Sequence, residues 1–492
     1  MVVFGLTSSD LAFVSRVFAG LGRFMWRPLL VAGALLALSA CSSDPEYSRP
    51  AAPIPDRYAD AAEGPSIAAY DWRSFFRDPQ LTALIDAALA NSRDVRAAAA
   101  RVAEARGAWR IQGAALYPQL DVVGTGVRGR ALATGTDQYV DVEQVSAQLS
   151  ASWELDFWGR LRNLKAAARE QYLATEEARR AVATDLVAQV ALGYLLEREY
   201  AERAELAGQS LTTREESLRI MRRRYEVGSG TKLDMAQADI LLAQARTTLQ
   251  AIEQDRAVNR NALALLVGAP VEIAPGTLGL AGDIPKFTLP TGLPSDLLVN
   301  RPDVVSAEHQ LRAANANVGA ARAAFFPNIS LTGAAGVSSG ALDDLFSGGT
   351  DVWNFTPTIA APIFNAGRLR GNLDVAQARR DQAVASYEKT IQSAFRDVSD
   401  ALARRRQLVL QIETTRKLID AQRERGRLAQ LRFDNGRSTY LEVLDAQRDL
   451  FDAEQALVQL RRAELASVVA LYSALGGGFP ANTPVSTEGQ RS

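Results

Sequence analysis

The side chains that carry most enzyme and metal chemistry are nearly missing from this 492-residue chain, which has one histidine, His309, and one cysteine, Cys41. A His-based catalytic pair and a disulfide framework are excluded, and most zinc-type ligand sets with them. Only four methionines are present, which counts against a soft-metal path. Neither sign of charge is in excess, with 55 Lys+Arg against 56 Asp+Glu, so no net field invites nucleic acid. No apolar run is long enough for a transmembrane helix. The spacing Gly124-Thr125-Gly126-Val127-Arg128-Gly129 fits G-x-G-x-x-G, but those glycines fall inside a predicted strand rather than at the start of a helix. No catalysis and no resident cofactor are expected.

The ends carry targeting information. Arg23 and Arg27 precede the apolar run from Leu29 to Leu38, which closes on Ser39-Ala40-Cys41. A basic start, a short apolar core and small residues before a cut make residues 1–40 an export signal. Met25 offers a second start that leaves residues 1–24 superfluous. Small residues directly before a cysteine resemble the bacterial lipobox, which implies lipidation of Cys41. Ser42 behind it resembles lipoproteins sent to the outer membrane. Prolines 45, 50, 53 and 55 then make residues 41–76 an extended tether.

What the chain does have is itself, twice. Asn91-Ser92-Arg93-Asp94-Val95 returns as Asn300-Arg301-Pro302-Asp303-Val304, 209 positions on. Gly159-Arg160-Leu161-Arg162 returns as Gly367-Arg368-Leu369-Arg370, and Tyr225-Glu226-Val227-Gly228 as Phe433-Asp434-Asn435-Gly436, both 208 on. A tandem duplication follows, with repeats at 77–268 and 293–476, a linker at 269–292 and a flexible tail at 477–492. Proline is absent from Gly159 to Gly228 and from Gly367 to Gly436. Val182, Leu186, Val190 and Tyr194 keep one helix face there. Each stretch predicts a helix on the order of 100 Å long. Shorter helices are expected near 79–115, broken at Asn91–Asp94, and near 231–267, 295–324 and 439–475.

Ahead of each long helix the period becomes two. Val145, Ala147, Leu149, Ala151, Trp153 and Leu155 alternate with polar residues, and Trp353, Phe355, Ile359 and Ile363 do so in the second repeat. Strands are predicted near 118–130, 142–155, 327–337 and 352–363, long enough to cross a bilayer when tilted. One apolar and one polar face suit an outer-membrane barrel; two soluble hairpins packed on helices are the alternative. Four strands cannot close a barrel and open edges are not tolerated in hydrocarbon, so two chains (eight strands) or three (twelve) would have to share one.

These features together resemble a TolC-like outer-membrane efflux lipoprotein of the NodT branch. The resemblance rests on Trp72 with Phe75-Phe76 and Asp78-Pro79; on Arg301-Pro302-Asp303-Val304; on Gly319 through Pro327; and on Gly436 through Gln447. It implies a mainly α homotrimer with a shared twelve-stranded membrane β-barrel continued by a periplasmic α-barrel. It also implies a periplasmic adaptor and an inner-membrane proton-driven pump as partners. Drugs or other small toxic molecules are the expected cargo, with metal ions or secreted polypeptide as alternatives. The rival from another class is a periplasmic helical-bundle spacer.

Two turns break the long helices, Val227-Gly228-Ser229-Gly230-Thr231 and Asn435-Gly436-Arg437-Ser438-Thr439, each restarting at a threonine placed as an N-cap. Beyond being turns, Gly228, Gly230, Thr231, Gly436, Ser438 and Thr439 are, by the resemblance, adaptor-contact candidates. Glu442, Asp445, Asp234 and Phe433 are gate candidates on the same ground. Asp445 would form a carboxylate ring in a trimer, or simply pair with Arg448 on a wet helix face. Phe433 stands where the first repeat has Tyr225, so a latch needing a tyrosine hydroxyl there is in doubt. Arg160, Arg162, Arg368 and Arg370 open helices, where the dipole disfavours cations, and are placed to meet lipid head groups. His309 is read as a surface or packed residue.

Overall fold

The computed structural model describes residues 46–58, 71–132, 135, 137–274 and 294–477. Cys41, the export signal and nearly all of the expected linker and tail lie outside them. In chain order the elements are α1 (Trp72–Phe75), α2 (Pro79–Asn91), α3 (Arg93–Ala114), β1 (Gln119–Leu132), β2 (Tyr139–Leu155), α4 (Arg160–Glu226) and α5 (Lys232–Val267). The second repeat supplies α6 (Leu297–Asn300), α7 (Pro302–Ala323), β3 (Asn328–Ser339), β4 (Asp351–Ala360), α8 (Arg368–Asp434) and α9 (Tyr440–Ala474). Both long helices have 67 residues. The compact units do not follow the repeats. One takes Ile111–Ala166 and Asn315–Gln377; the other takes Tyr47–Arg110, Ala167–Ala314 and the chain from Ala378 onward. Each unit thus draws on both copies, because strands pair with strands and helices with helices.

In the first unit the strands form one antiparallel sheet in the order β1-β2-β3-β4. Its register sorts the side chains. Val122, Leu149, Ala335 and Trp353 make one row across the sheet, and Leu120, Ala151, Gly333 and Phe355 make the next on the same face. Trp153, Leu331 and Pro357 continue it. The opposite face carries Gln119, Ser152, Thr332 and Thr356 in one row and Asp121, Ser150, Ala334 and Asn354 in another. Hydroxyls bond across it, as between Thr125 and Ser146 at 2.6 Å. Every residue of β1 and β4 is exposed in the single chain. The hairpins reach further into the expected loops than the alternation indicated, and β4 ends at Ala360, leaving Ile363 outside the sheet and exposed. Below the strands Trp158 stacks on Phe326 at 4.9 Å and donates to the Pro327 carbonyl at 2.8 Å. Gly319 has a specific reason: a Cβ there would lie 2.8 Å from Asn163 Oδ1, whose amide is buried and bonded to the Gly159 carbonyl.

In the second unit the recurring motifs meet each other. Gly268 ends α5 with φ +73°, and a Cβ on it would lie 2.9 Å from the Asn91 carbonyl oxygen. Gly476 follows α9 with φ +81°, and its Cβ would lie 2.5 Å from the Asn300 carbonyl oxygen. The Asn-x-x-Asp-Val motif is therefore the surface on which the last helix of each repeat lands, and only glycine allows the approach. In the second copy Arg301 secures the joint, donating to the Ala474 carbonyl at 2.9 Å and to Asp303 at 2.7 Å. The Trp72–Pro79 motif is core rather than tether: Trp72 is 1% exposed and Phe75 stacks on Tyr472 at 4.0 Å. Asp78 caps α2 by accepting from the Gln80 amide and takes the Tyr194 hydroxyl at 2.6 Å.

Residues 46–58 have no helix or strand, yet they are docked rather than loose. Tyr58 is buried and stacks on Phe395 at 5.1 Å. Tyr47 and Arg49 both donate to Glu308, Arg49 at 2.6 Å, and Arg312 adds a third donor at 2.7 Å. Burial works against ionisation of Glu308, but the hydrogen bonds from Arg49 and Arg312 outweigh it and hold the carboxyl below its ordinary value. A carboxylate depressed on folding stabilises docking above its ordinary range and loses that contribution as pH falls through the folded value. Limited proteolysis should find residues 46–58 protected at pH 7 and increasingly cleaved below about pH 4.5. Glu308→Gln should be cleaved at both.

Candidate functional site

The two helical turns share one backbone frame. In the first, the Arg224 carbonyl accepts from the Ser229 and Gly230 amides at 2.8 and 3.0 Å, and Gly228 sits at φ +75°. In the second, the Arg432 carbonyl accepts from Arg437 at 2.8 Å, and Gly436 sits at φ +67°. Such φ values favour glycine. Gly230 also needs to be small, since its Cβ would lie 3.1 Å from Arg224 Cβ.

The restarts differ. Thr231 and Asp234 form a full capping box: Thr231 Oγ1 accepts from the Asp234 amide at 3.1 Å, and Asp234 Oδ2 accepts from the Thr231 amide at 3.1 Å. Asp234 is thus occupied as a cap within its own turn. Thr439 holds the N-cap position of α9 without a side-chain cap bond, contrary to the symmetric expectation. The Ser438 hydroxyl beside it is buried without a hydrogen-bond partner. Glu442, in register with Asp234, lies 3.5 Å from Arg432 instead.

Asp445 lies 3.2 Å from Arg448, with both side chains more than a third exposed. Within one protomer this is a weak surface pair. It opens a relay in which Arg448 bonds Asp449 at 3.0 Å and Asp449 accepts from Arg425 of α8 at 2.6 Å. Arg425, aided by Arg448 against slight burial, holds the Asp449 carboxyl below its ordinary value. Phe433 packs on Tyr440 with ring centroids 4.8 Å apart, and the Arg224 guanidinium lies 4.8 Å over its other surroundings, measured to the ring centroid. Beneath both turns Leu218, Met221, Ala238, Val443 and Leu444 make a satellite core joining α4, α5 and α9. A cleft of about 750 Å³ opens beside it, lined by Ile220, Met221, Arg224, Phe433, Tyr440 and Gln447 among others.

Other singled-out residues have local partners. Arg160 is held by both oxygens of Glu154 at 2.7 Å, and Asp156 accepts from the Leu161 and Arg162 amides at 3.0 and 2.8 Å. Those carboxylates answer the helix dipole at the start of α4, so the two arginines face their own chain's acids. Arg370 lies 3.5 Å from Asp374. His309 Nδ1 is 2.7 Å from Glu170 and half-buried. Sequence reasoning missed Arg224 and Tyr440 at the tip and Asp156 at the start of α4; an acidic residue just ahead of a helix was a readable signal for the last.

The unequal caps predict unequal responses. Thr231→Ala should cost about 1 kcal/mol of local stability, whereas Thr439→Ala should cost close to nothing. Amide hydrogen exchange in the first turns of α5 and α9 measures both.

With this geometry in place, comparisons with known proteins are specific. A family model described as outer membrane efflux protein matches residues 84–269 and 293–477, one stretch in each repeat. The chain is 44% identical over 472 residues to the solvent efflux pump outer membrane protein SrpC of Pseudomonas putida, covering 91% of this chain and 97% of that one. It is 40% identical over 448 residues to the cation efflux system protein CusC of Escherichia coli K12, covering 90% and 97%. Among solved structures, the open state of the Neisseria gonorrhoeae MtrE outer membrane channel superposes with a TM-score of 0.81 at 37% identity, covering 89% of this chain and 98% of that one. The two-faced sheet and the paired long helices are thus those of a known architecture, and the chain belongs to the outer membrane efflux protein family, whose members are outer-membrane efflux channels.

Proposed function

We propose that three copies of this chain assemble into the passive exit duct of a tripartite efflux pump, with a shared twelve-stranded barrel in the outer membrane. The observation that carries this is the sheet: an apolar face, a polar face and two edge strands with every residue exposed. An apolar face suits lipid, a polar face a wet lumen, and the edges require other copies. Three rather than two rests on the family resemblance. Lipidated Cys41 would anchor each chain. A periplasmic adaptor would meet the turns at Gly228, Gly230, Thr231, Gly436, Ser438 and Thr439, beside the exposed side chains of Val227, Leu233 and Leu441. An inner-membrane proton-driven pump would supply the energy. Relatives are named for solvent efflux and for cation efflux. Four methionines and one histidine in the whole chain favour uncharged or amphiphilic small molecules over soft metal ions.

We further assign the closed tip to Asp234, Phe433, Glu442 and Asp445, with Asp445 forming a three-carboxylate ring that favours cations. Its pairing with Arg448 is weak enough to yield.

Mass measurement of the mature protein in mild detergent should give a trimer; a monomer would end the shared-barrel reading. Leu149 lies in the apolar face, so Leu149→Arg should disfavour assembly by about 2–4 kcal/mol per chain at mid-membrane depth. That loss should appear as monomer in the same experiment. Asp445→Ala should raise the conductance of the isolated protein in a planar bilayer, and an unchanged value would assign Asp445 to the solvated helix face.

A further inference from the structure

We infer that Arg224 positions the two turns of one protomer against each other, through a cation–π contact with Phe433, and so holds the tip closed; the last step rests on the gating role assigned above. Arg224 serves both turns at once. Its carbonyl is the acceptor around which the first turn closes, taking the Ser229 and Gly230 amides and, at 3.2 Å, the Ser229 hydroxyl. Its side chain leaves that turn and lies over Phe433, the last aromatic of α8, with Cζ 4.8 Å from the ring centroid. Tyr440, at the start of α9, packs on the same ring. One residue of the first repeat therefore touches the aromatic pair that brackets the second turn.

Broken repeat symmetry explains why this arginine is available. Its counterpart 208 positions on is Arg432, which stays in its own hairpin, 3.5 Å from Glu442 and 3.4 Å from the Arg437 carbonyl. The first repeat has Asp234 where the second has Glu442. Asp234 is one methylene shorter and is committed to the Thr231 cap. Arg224 consequently has no matching carboxylate in its own turn and takes the neighbouring ring. Phe433 is the other half of the exchange: its counterpart Tyr225 is exposed, whereas Phe433 packs onto the tip core. A ring without a hydroxyl offers a face for a guanidinium and no polar latch. Glu216 and Asp434 line the same cleft and are the acids that a released Arg224 would meet.

The contact can be read separately from conductance. Lys232 and Arg437 are exposed, one by each turn, and Cys41 is the only natural cysteine. Full-length protein carrying Lys232→Cys and Arg437→Cys is spin-labelled and mixed with excess unlabelled chains, so that pulsed dipolar spectroscopy reads distances within one protomer. Arg224→Gln and Phe433→Leu should each lengthen and broaden the distance distribution. Combined, they should do no more than either alone, because both remove one contact. Phe433→Tyr, which keeps the ring, should retain the narrow distribution. Open probability in a planar bilayer should rise about two- to fivefold in Arg224→Gln, the worth of one partly exposed cation–π contact. A distribution unchanged by Arg224→Gln, or effects of the two substitutions that add, would overturn the clasp. A broadened tip with unchanged conductance would keep the clasp and overturn the gating assignment instead.

Discussion

A strand edge in hydrocarbon leaves amide and carbonyl groups without partners, at several kcal/mol for each. This chain presents two such edges, on β1 and β4, and its remaining architecture follows from that debt. The apolar rows through Leu149, Trp153 and Trp353 are useful only against lipid or another copy. The polar rows are useful only against water. Neither condition can be met by one chain, so in the proposed trimer the membrane part and the oligomer form together. Glycine at Gly333 and Gly336 leaves part of β3 without side chains, and a Cβ on Gly336 would lie 2.2 Å from the Ala147 carbonyl oxygen, so that pairing is close.

Away from the sheet, the duplication supplies order by repeating a joint. Gly268 against Asn91 and Gly476 against Asn300 are the same contact made twice, from motifs that lie far apart in each copy. Yet the copies have diverged where charge and caps are concerned. Arg301 braces only the second joint, the capping box exists only in the first turn, and Glu442 reaches an arginine that Asp234 does not. Pseudo-symmetry is kept in backbone contacts, which tolerate no substitution, and relaxed in side-chain contacts, which do.

That division also sets what could be read in advance. Proline-free stretches, period-two alternation and recurring glycines are backbone signals, and they announced the long helices, the two-faced strands and the ends of α5 and α9. Contacts between distant side chains were not announced. Nothing near Tyr47 or Arg49 points to Glu308, more than 250 positions away, so a proline-rich segment read as a loose tether although it is docked. Arg160 and Arg162 looked like free cations because Glu154 and Asp156 appeared only as strand-end residues. At the tips the doubt over Phe433 was legible, since the missing hydroxyl is a fact of composition; its partner Arg224 was one arginine among many on a charged helix.

The inequality of the two turns has a mechanical meaning. The first is fastened by three hydrogen bonds between Thr231 and Asp234, internal to four residues. The second leans on an exposed pair between Arg432 and Glu442, which dissolved ions screen. In a ring of such turns rigid and compliant blades alternate, as in an iris in which only every second leaf is free to swing. An aperture built this way yields in a three-fold rather than six-fold pattern, and its compliance rises with the ionic strength of the surrounding fluid.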